Sequence, residues 1–182
     1  DIATRCGAQV HTVDFPLGRP VTPDEVAVEM GKHSHVKMLA VVHAETSTGV
    51  ISPLSELADI ARRHDALLAV DAVTSLGGVE VAVDDWNIDI CYGATQKCLG
   101  APPGLAPITI GPRAMQVMRQ RETKVQSFYL SLADLEEYWS TSQRAYHHTA
   151  PISMVYAIWE ALRMVMEEGL TNRFDRHARC AS

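Results

Sequence analysis

Two residues that could do chemistry stand where composition alone would not put them. Asp71 follows five apolar residues, Ala66 to Val70, and is followed in turn by Ala72 and Val73. A carboxylate in such a run is costly to bury unless it meets a positive partner or is well hydrogen-bonded. Lys97 comes 26 residues later, the only amine in YGATQKCLGAPPG, a stretch of small residues, prolines and glycines. Each has a plain structural reading: Asp71 as a helix N-cap or structural acceptor, Lys97 as a solvated surface lysine. The neighbours of Lys97 are not surface-like, however. A lysine held among apolar groups has a lowered pKa and can attack an aldehyde.

The elements that must position these two are short apolar runs alternating with amphipathic ones. Residues 9–15 (QVHTVDF) predict a strand, and 36–44, 66–73, 88–93 and 105–111 predict four more. TPDEVAVEM opens a helix, with Thr22 as N-cap, Pro23 at the first helical position and Glu25 completing a capping box. A second helix runs over 53–65, with Leu54, Leu57, Ala58 and Ala61 on one face. After Gly111 the pattern is mainly helical, over 112–122, 131–139, 151–168 and onward from Thr171. Strands apolar on both faces and separated by helices imply an α/β fold, three layers αβα around a mixed, mostly parallel sheet. Ligands in such sheets sit beyond the carboxyl ends of the strands. His43 to Thr46, Asp71, and Tyr92 to Lys97 occupy those ends and should converge. An Asp and a Lys at neighbouring strand ends are what pyridoxal 5'-phosphate requires: an amine for its aldehyde and a carboxylate that keeps its pyridine nitrogen protonated.

Two further stretches carry polar groups. HAETSTGV (43–50) is either a third wall of the site or an ordinary turn with Thr and Ser capping. YHHTAP (146–151) sets a phenol, two imidazoles and a hydroxyl before a helix. It reads as a helix N-cap by Thr149, as an anion site at a helix N-terminus, or as a histidine-pair metal site. Adjacent histidines point apart and no carboxylate flanks them at helical spacing, so no metal is expected. The net charge of −6 lacks the basic excess of a nucleic-acid binder. The apolar runs fall far short of the roughly 18 residues that span a bilayer. Four scattered cysteines, Cys6, Cys91, Cys98 and Cys180, fit reduced thiols in a cytoplasmic protein.

The motifs VHAETSTGV, LLAVDAVTSLGG, YGATQKCLGAPPGLAP, SFYL and YHHTAPISMVYAIWEAL, in that order, carry a resemblance. Together they resemble the class V, fold-type-I pyridoxal-phosphate aminotransferases, in the branch of the alanine–glyoxylate and serine–glyoxylate (serine–pyruvate) enzymes. The resemblance implies that Lys97 forms the Schiff base and moves the substrate proton, and that Asp71 pairs with the pyridine nitrogen. It implies that Val73 packs on the ring, Thr46 lies near the ring hydroxyl and Gln96 binds the phosphate. Tyr146 and Thr149 would reach the phosphate of a second subunit in a homodimer. The substrates would be a small amino acid and a 2-oxo acid. On this reading residues 1–182 are part of the pyridoxal-phosphate-binding large domain. The family's glycine-rich phosphate loop would lie upstream, and its small C-terminal domain, with the carboxylate-binding arginine, downstream.

Other class V chemistry stays open at this point: phosphonate- or ureidoglycine-type transamination, or a desulfurase or lyase. A desulfurase needs a nucleophilic cysteine on a mobile loop, and neither Cys98, next to the lysine, nor Cys91, in a strand, suits that role. A piece that binds no cofactor is a further possibility. A nucleotide-binding or flavodoxin-like domain is disfavoured because neither GxGxxG nor GxxxxGK[ST] occurs.

Overall fold

The computed structural model describes residues 1–140 and 146–181. In chain order the elements are α1 (Ile2–Arg5), α2 (Pro23–Met30), β1 (Met38–Val42), α3 (Leu54–Arg63), β2 (Leu67–Asp71), β3 (Ile90–Tyr92), β4 (Ile108–Ile110), α4 (Pro112–Arg119), α5 (Leu132–Ser140), α6 (Ile152–Glu168) and α7 (Leu170–Ala181). The sheet order is β1-β2-β3-β4. β1, β2 and β3 are parallel and β4 runs antiparallel to β3, so the sheet is mixed and mostly parallel. With helices packed on it, this is the expected layered α/β fold.

The core forms where the sequence is most continuously apolar. Leu68 and Val70 of β2 are fully buried, and α3 lays Leu57, Ala58, Ile60 and Ala61 against them, with Val26 and Met30 of α2 behind. Each fully buried Leu or Val contributes about 1.5–3 kcal/mol. α3 stops at His64 because Asp65 turns into the left-handed region, φ 52°, and the chain swings back into β2. The sheet's other end is held by Asp89, 4% exposed, which accepts from the Leu68 amide at 2.9 Å and from Arg113 Nη1 at 3.2 Å. This buried carboxylate has a cation, as burial requires.

Three expectations change. Residues 9–15 form no strand: their alternation is of strand type, but no neighbouring strand pairs with them, and of the seven only Phe15 packs toward the core. β1 is apolar but not covered on both faces, since Met38 and Val42 are 46% and 41% exposed. Thr22 is the N-cap of α2 and Pro23 its first residue, yet the Thr22 hydroxyl meets the Glu25 carboxylate instead of a backbone amide. Among the described residues no helix is long and apolar enough to cross a membrane.

Candidate functional site

Register brings the strand ends level. Val42 pairs with Asp71, Asp71 with Tyr92, and Tyr92 with Ile108. The loops that leave β1, β2 and β3 therefore start side by side, as the topology of a parallel sheet demands.

Thr74 ties the three loops together. Its hydroxyl donates to the Ala44 carbonyl at 2.5 Å, and its own carbonyl accepts from the Cys98 thiol at 3.1 Å. The loop after β1 folds on itself: the Glu45 amide donates to the Val50 carbonyl at 2.9 Å, while the Glu45 carboxylate accepts from the Ser47 amide and hydroxyl. Thr46 stands exposed at its tip. The loop after β3 is closed by Thr95, 1% exposed, whose hydroxyl donates to the Pro102 carbonyl at 2.6 Å and whose carbonyl accepts from the Ala101 amide at 2.9 Å. Gln96 and Lys97 ride on the outside of this closed turn. The approach of the loops is close at Gly78, where an added Cβ would lie 2.5 Å from Cys98 Sγ and would have to displace that side chain.

Asp71 is half-buried at the end of β2. One carboxylate oxygen accepts from the Val73 amide at 2.9 Å and the other from the Tyr92 hydroxyl at 2.9 Å. Unlike Asp89, it has no salt bridge to any cation among the described residues. The site thus holds a fixed, oriented negative charge whose positive partner the described residues do not supply. That is the environment a protonated pyridine nitrogen needs, so the residues present fit the cofactor foreseen from sequence. Burial first, then the bond to Asp71, push the Tyr92 phenol up to about 12. Its pKa is raised, so the neutral donor persists below about 12, and its bond to Asp71 is lost only as pH rises through that value. Tyr92→Phe removes this bond and keeps the ring. It should lower folding stability by about 1 kcal/mol, read as a lower urea midpoint; an unchanged midpoint would show that the bond adds nothing net.

Lys97 differs from expectation: its side chain is exposed, not enclosed by apolar groups, because the stiff CLGAPPG segment packs Leu99 and Ala101 inward and turns the lysine out. His43 also departs. It is 3% exposed, with Nδ1 2.9 Å from the Ser75 hydroxyl and Trp86 edge-on to the ring. Burial lowers its pKa and keeps it neutral, so it supports the loop from beneath and leaves the site mouth to Thr46. Burial likewise pushes the Cys91 thiol up to about 11 and raises that of Cys98, so neither is a ready thiolate nucleophile.

Tyr146 and Thr149 are exposed and hydrogen-bonded to each other, and among the described residues no hydrogen bond or ion pair joins them to Asp71 or Lys97. Thr149 does not cap α6: the N-cap position is Pro151, without a side-chain cap bond. The two histidines do not point apart. His147 Nε2 lies 3.0 Å from the Phe128 carbonyl, and its Nδ1 lies 2.8 Å from His148 Nδ1. His147 is buried and stacks on Phe128 at 4.4 Å, so SFYL and YHHTAP pack as one unit. Among the described residues no group of three or more His, Cys, Asp and Glu is arranged to hold a metal ion. Tyr92 and Thr95 enter the sequence reading only as members of the 92–97 stretch at a strand end, with no role of their own, and Thr74, just past the end of β2, has none.

The class-V aminotransferase family profile matches residues 1–182. The (S)-ureidoglycine–glyoxylate transaminase of Bacillus subtilis is 42% identical over 195 residues, spanning 97% of this chain and 46% of the relative. The alanine–glyoxylate aminotransferase of Mus musculus is 39% identical over 179 residues, spanning 97% and 43%. The crystal structure of an alanine–glyoxylate aminotransferase from Nostoc sp. superposes with a TM-score of 0.92 at 44% identity, covering 97% of this chain and 46% of that one. The chain spans somewhat under half the length of these relatives.

Proposed function

This chain belongs to the class-V aminotransferase family, and on that premise we propose that the whole protein is a pyridoxal-phosphate-dependent aminotransferase. It transfers the amino group of a small amino acid, alanine or serine, to glyoxylate or pyruvate. The observation that carries the reading is Asp71: a carboxylate fixed by two donors, without a cation among the described residues, beside the loop that presents Lys97.

The chemistry that a bound pyridoxal phosphate supplies is an aldehyde for attachment and a ring that accepts electrons from the substrate's α-carbon. Everything else falls to the chain. Lys97 is the residue that would hold the group by its aldehyde, and its free amine would serve as the base that takes the substrate's α-proton and returns it at the other end of the reacting system. Asp71 holds the proton on the ring nitrogen, which is why its oxygens must not rotate. Val73, whose amide fixes Asp71, would pack against the ring face. Thr46 would lie near the ring hydroxyl and Gln96 would bind the phosphate. Tyr146 and Thr149, surface groups bonded to each other, would serve the phosphate of a partner subunit in a homodimer with shared sites.

Glyoxylate is common to the names of the bacterial and mouse relatives, which supports it as acceptor. A ureidoglycine-type donor is the second reading, favoured by the 42% identical Bacillus protein. The test is a titration of the whole protein loaded with pyridoxal phosphate. L-alanine or L-serine should bleach the colour of the lysine-linked cofactor and glyoxylate should restore it, the two halves of a ping-pong cycle. Bleaching by ureidoglycine alone selects the second reading, and a protein that takes up no cofactor sinks both.

A further inference from the structure

Lys97 is exposed and sits on a turn, so something must hold that turn at the height of Asp71. The turn's own bonds close it on itself, through Thr95 and through the Gly100 amide, which donates to the Lys97 carbonyl at 3.0 Å. Outside the turn, the Thr95 amide donates to the Leu105 carbonyl at 3.2 Å and the Cys98 thiol to the Thr74 carbonyl at 3.1 Å. Arg173 of α7 adds a rigid link. Its Nε donates to the Gly77 carbonyl at 2.9 Å, in the turn that follows Asp71, and its Nη2 donates to the carbonyl of Cys98, the residue after Lys97. Its Nη1 donates to Glu168 Oε2 at 2.7 Å. A guanidinium is a rigid planar fork, so three acceptors bound to one fork are fixed relative to one another.

Arg173 is 9% exposed, and these three bonds leave it placed as a clamp, turned inward and away from substrate. Glu168 is secured independently, since Arg176 Nε and Nη2 donate to it at 2.5 and 3.0 Å. Those two arginines hold the Glu168 carboxyl down at about 2, so it remains an anion at any working pH. The two turns also touch directly, with Gly78 against Cys98.

We propose that Arg173 is a positioning residue for Lys97: backed by Glu168, it clamps the turn after β3 to the turn after β2 and so sets the amine against Asp71. This role rests on the reading of Lys97 and Asp71 given above. Lysine at position 173 could reach one carbonyl but not both, whereas methionine fills the space and donates to neither.

The experiment compares wild type, Arg173→Lys and Arg173→Met in the whole protein. Amide hydrogen exchange is read on protein stripped of cofactor, and single-turnover kinetics with L-alanine on loaded protein. In Arg173→Met, exchange over residues 97–101 should rise about tenfold or more while that of β2 stays unchanged. The proton-transfer rate should fall about tenfold or more with KM held within about twofold, the pattern of a misplaced base, and Arg173→Lys should fall between. Wild-type exchange and rate in a folded Arg173→Met overturn the role, and so does a uniform rise in exchange with an unchanged rate. Should Arg173→Met fail to fold, Glu168→Gln loosens the same fork and is judged on the same readouts. A wild-type protein that forms no lysine-linked cofactor overturns the functional reading and this role together. Wild-type colour with an indifferent Arg173→Met overturns this role alone.

Discussion

Lys97→Ala is expected to abolish transamination, by about a thousandfold or more, while leaving the fold intact. The size follows from the double duty of the amine. Its loss removes covalent attachment of the cofactor and also the base that moves the α-proton, and positioned proton transfer alone is worth about 10²–10⁴ in rate. The fold should survive because Lys97 is exposed and has no ion pair among the described residues. Such a surface change stays within about 0.5 kcal/mol. Lys97→Arg separates charge from chemistry. Arginine keeps the positive charge but is permanently protonated, so it can neither attack an aldehyde nor accept a proton. Both variants should therefore lose the colour of the lysine-linked cofactor and fall equally in steady-state rate, with melting curves close to wild type. A Lys97→Arg protein that still turned over would mean that only the charge of Lys97 matters, and the assignment would be wrong.

How far the site was legible in sequence depends on which physical signal each residue leaves. Asp71 announces itself because a carboxylate ending a five-residue apolar run must be answered by something, and the run itself predicts the buried strand β2. Lys97 is visible by contrast with its neighbours, although the inference that those neighbours enclose it fails. Leu99 and Ala101 do pack inward, but the lysine between those residues and the strand is turned out by the geometry of the closed turn. The strand forecast over 9–15 fails because alternation records only which side chains could face a core. It does not record whether a neighbouring strand pairs with the segment, and a strand exists only in a pair. Thr74 and Arg173 leave almost no trace, and Tyr92 only its place at a strand end. Their value lies in contacts with carbonyls and carboxylates far away in the chain, and nothing local distinguishes an arginine that clamps two turns from one that faces solvent.

Asp71→Asn is the second large effect, and it is expected to spare cofactor uptake while lowering the transamination rate by about a hundredfold or more. The amide is nearly isosteric. Its oxygen can still accept from the Val73 amide, and the Tyr92 hydroxyl can turn to accept from its NH₂ group, so the local bonds have a replacement network. The negative charge has none. An opposite charge within a few ångströms shifts a partner's pKa by about 1–3 units, so its removal lets the ring nitrogen lose the proton on which electron uptake depends. Asp71→Glu probes the other requirement. The charge remains but is pushed out by one methylene, which breaks the match to the Val73 amide and Tyr92, and displacement by about 1 Å can cost about a hundredfold. Reaction rates of the loaded whole protein decide between the two requirements. If charge alone matters, Asp71→Glu recovers most of the rate that Asp71→Asn loses; if charge and orientation both matter, both variants are slow. A wild-type rate in Asp71→Asn would remove the pyridinium partner from the site and with it the observation on which the proposed function stands. The contrast with Asp89 argues against that outcome on physical grounds: within one sheet, one inward carboxylate is answered by Arg113, while Asp71, fixed by two donors, is left without a cation among the described residues.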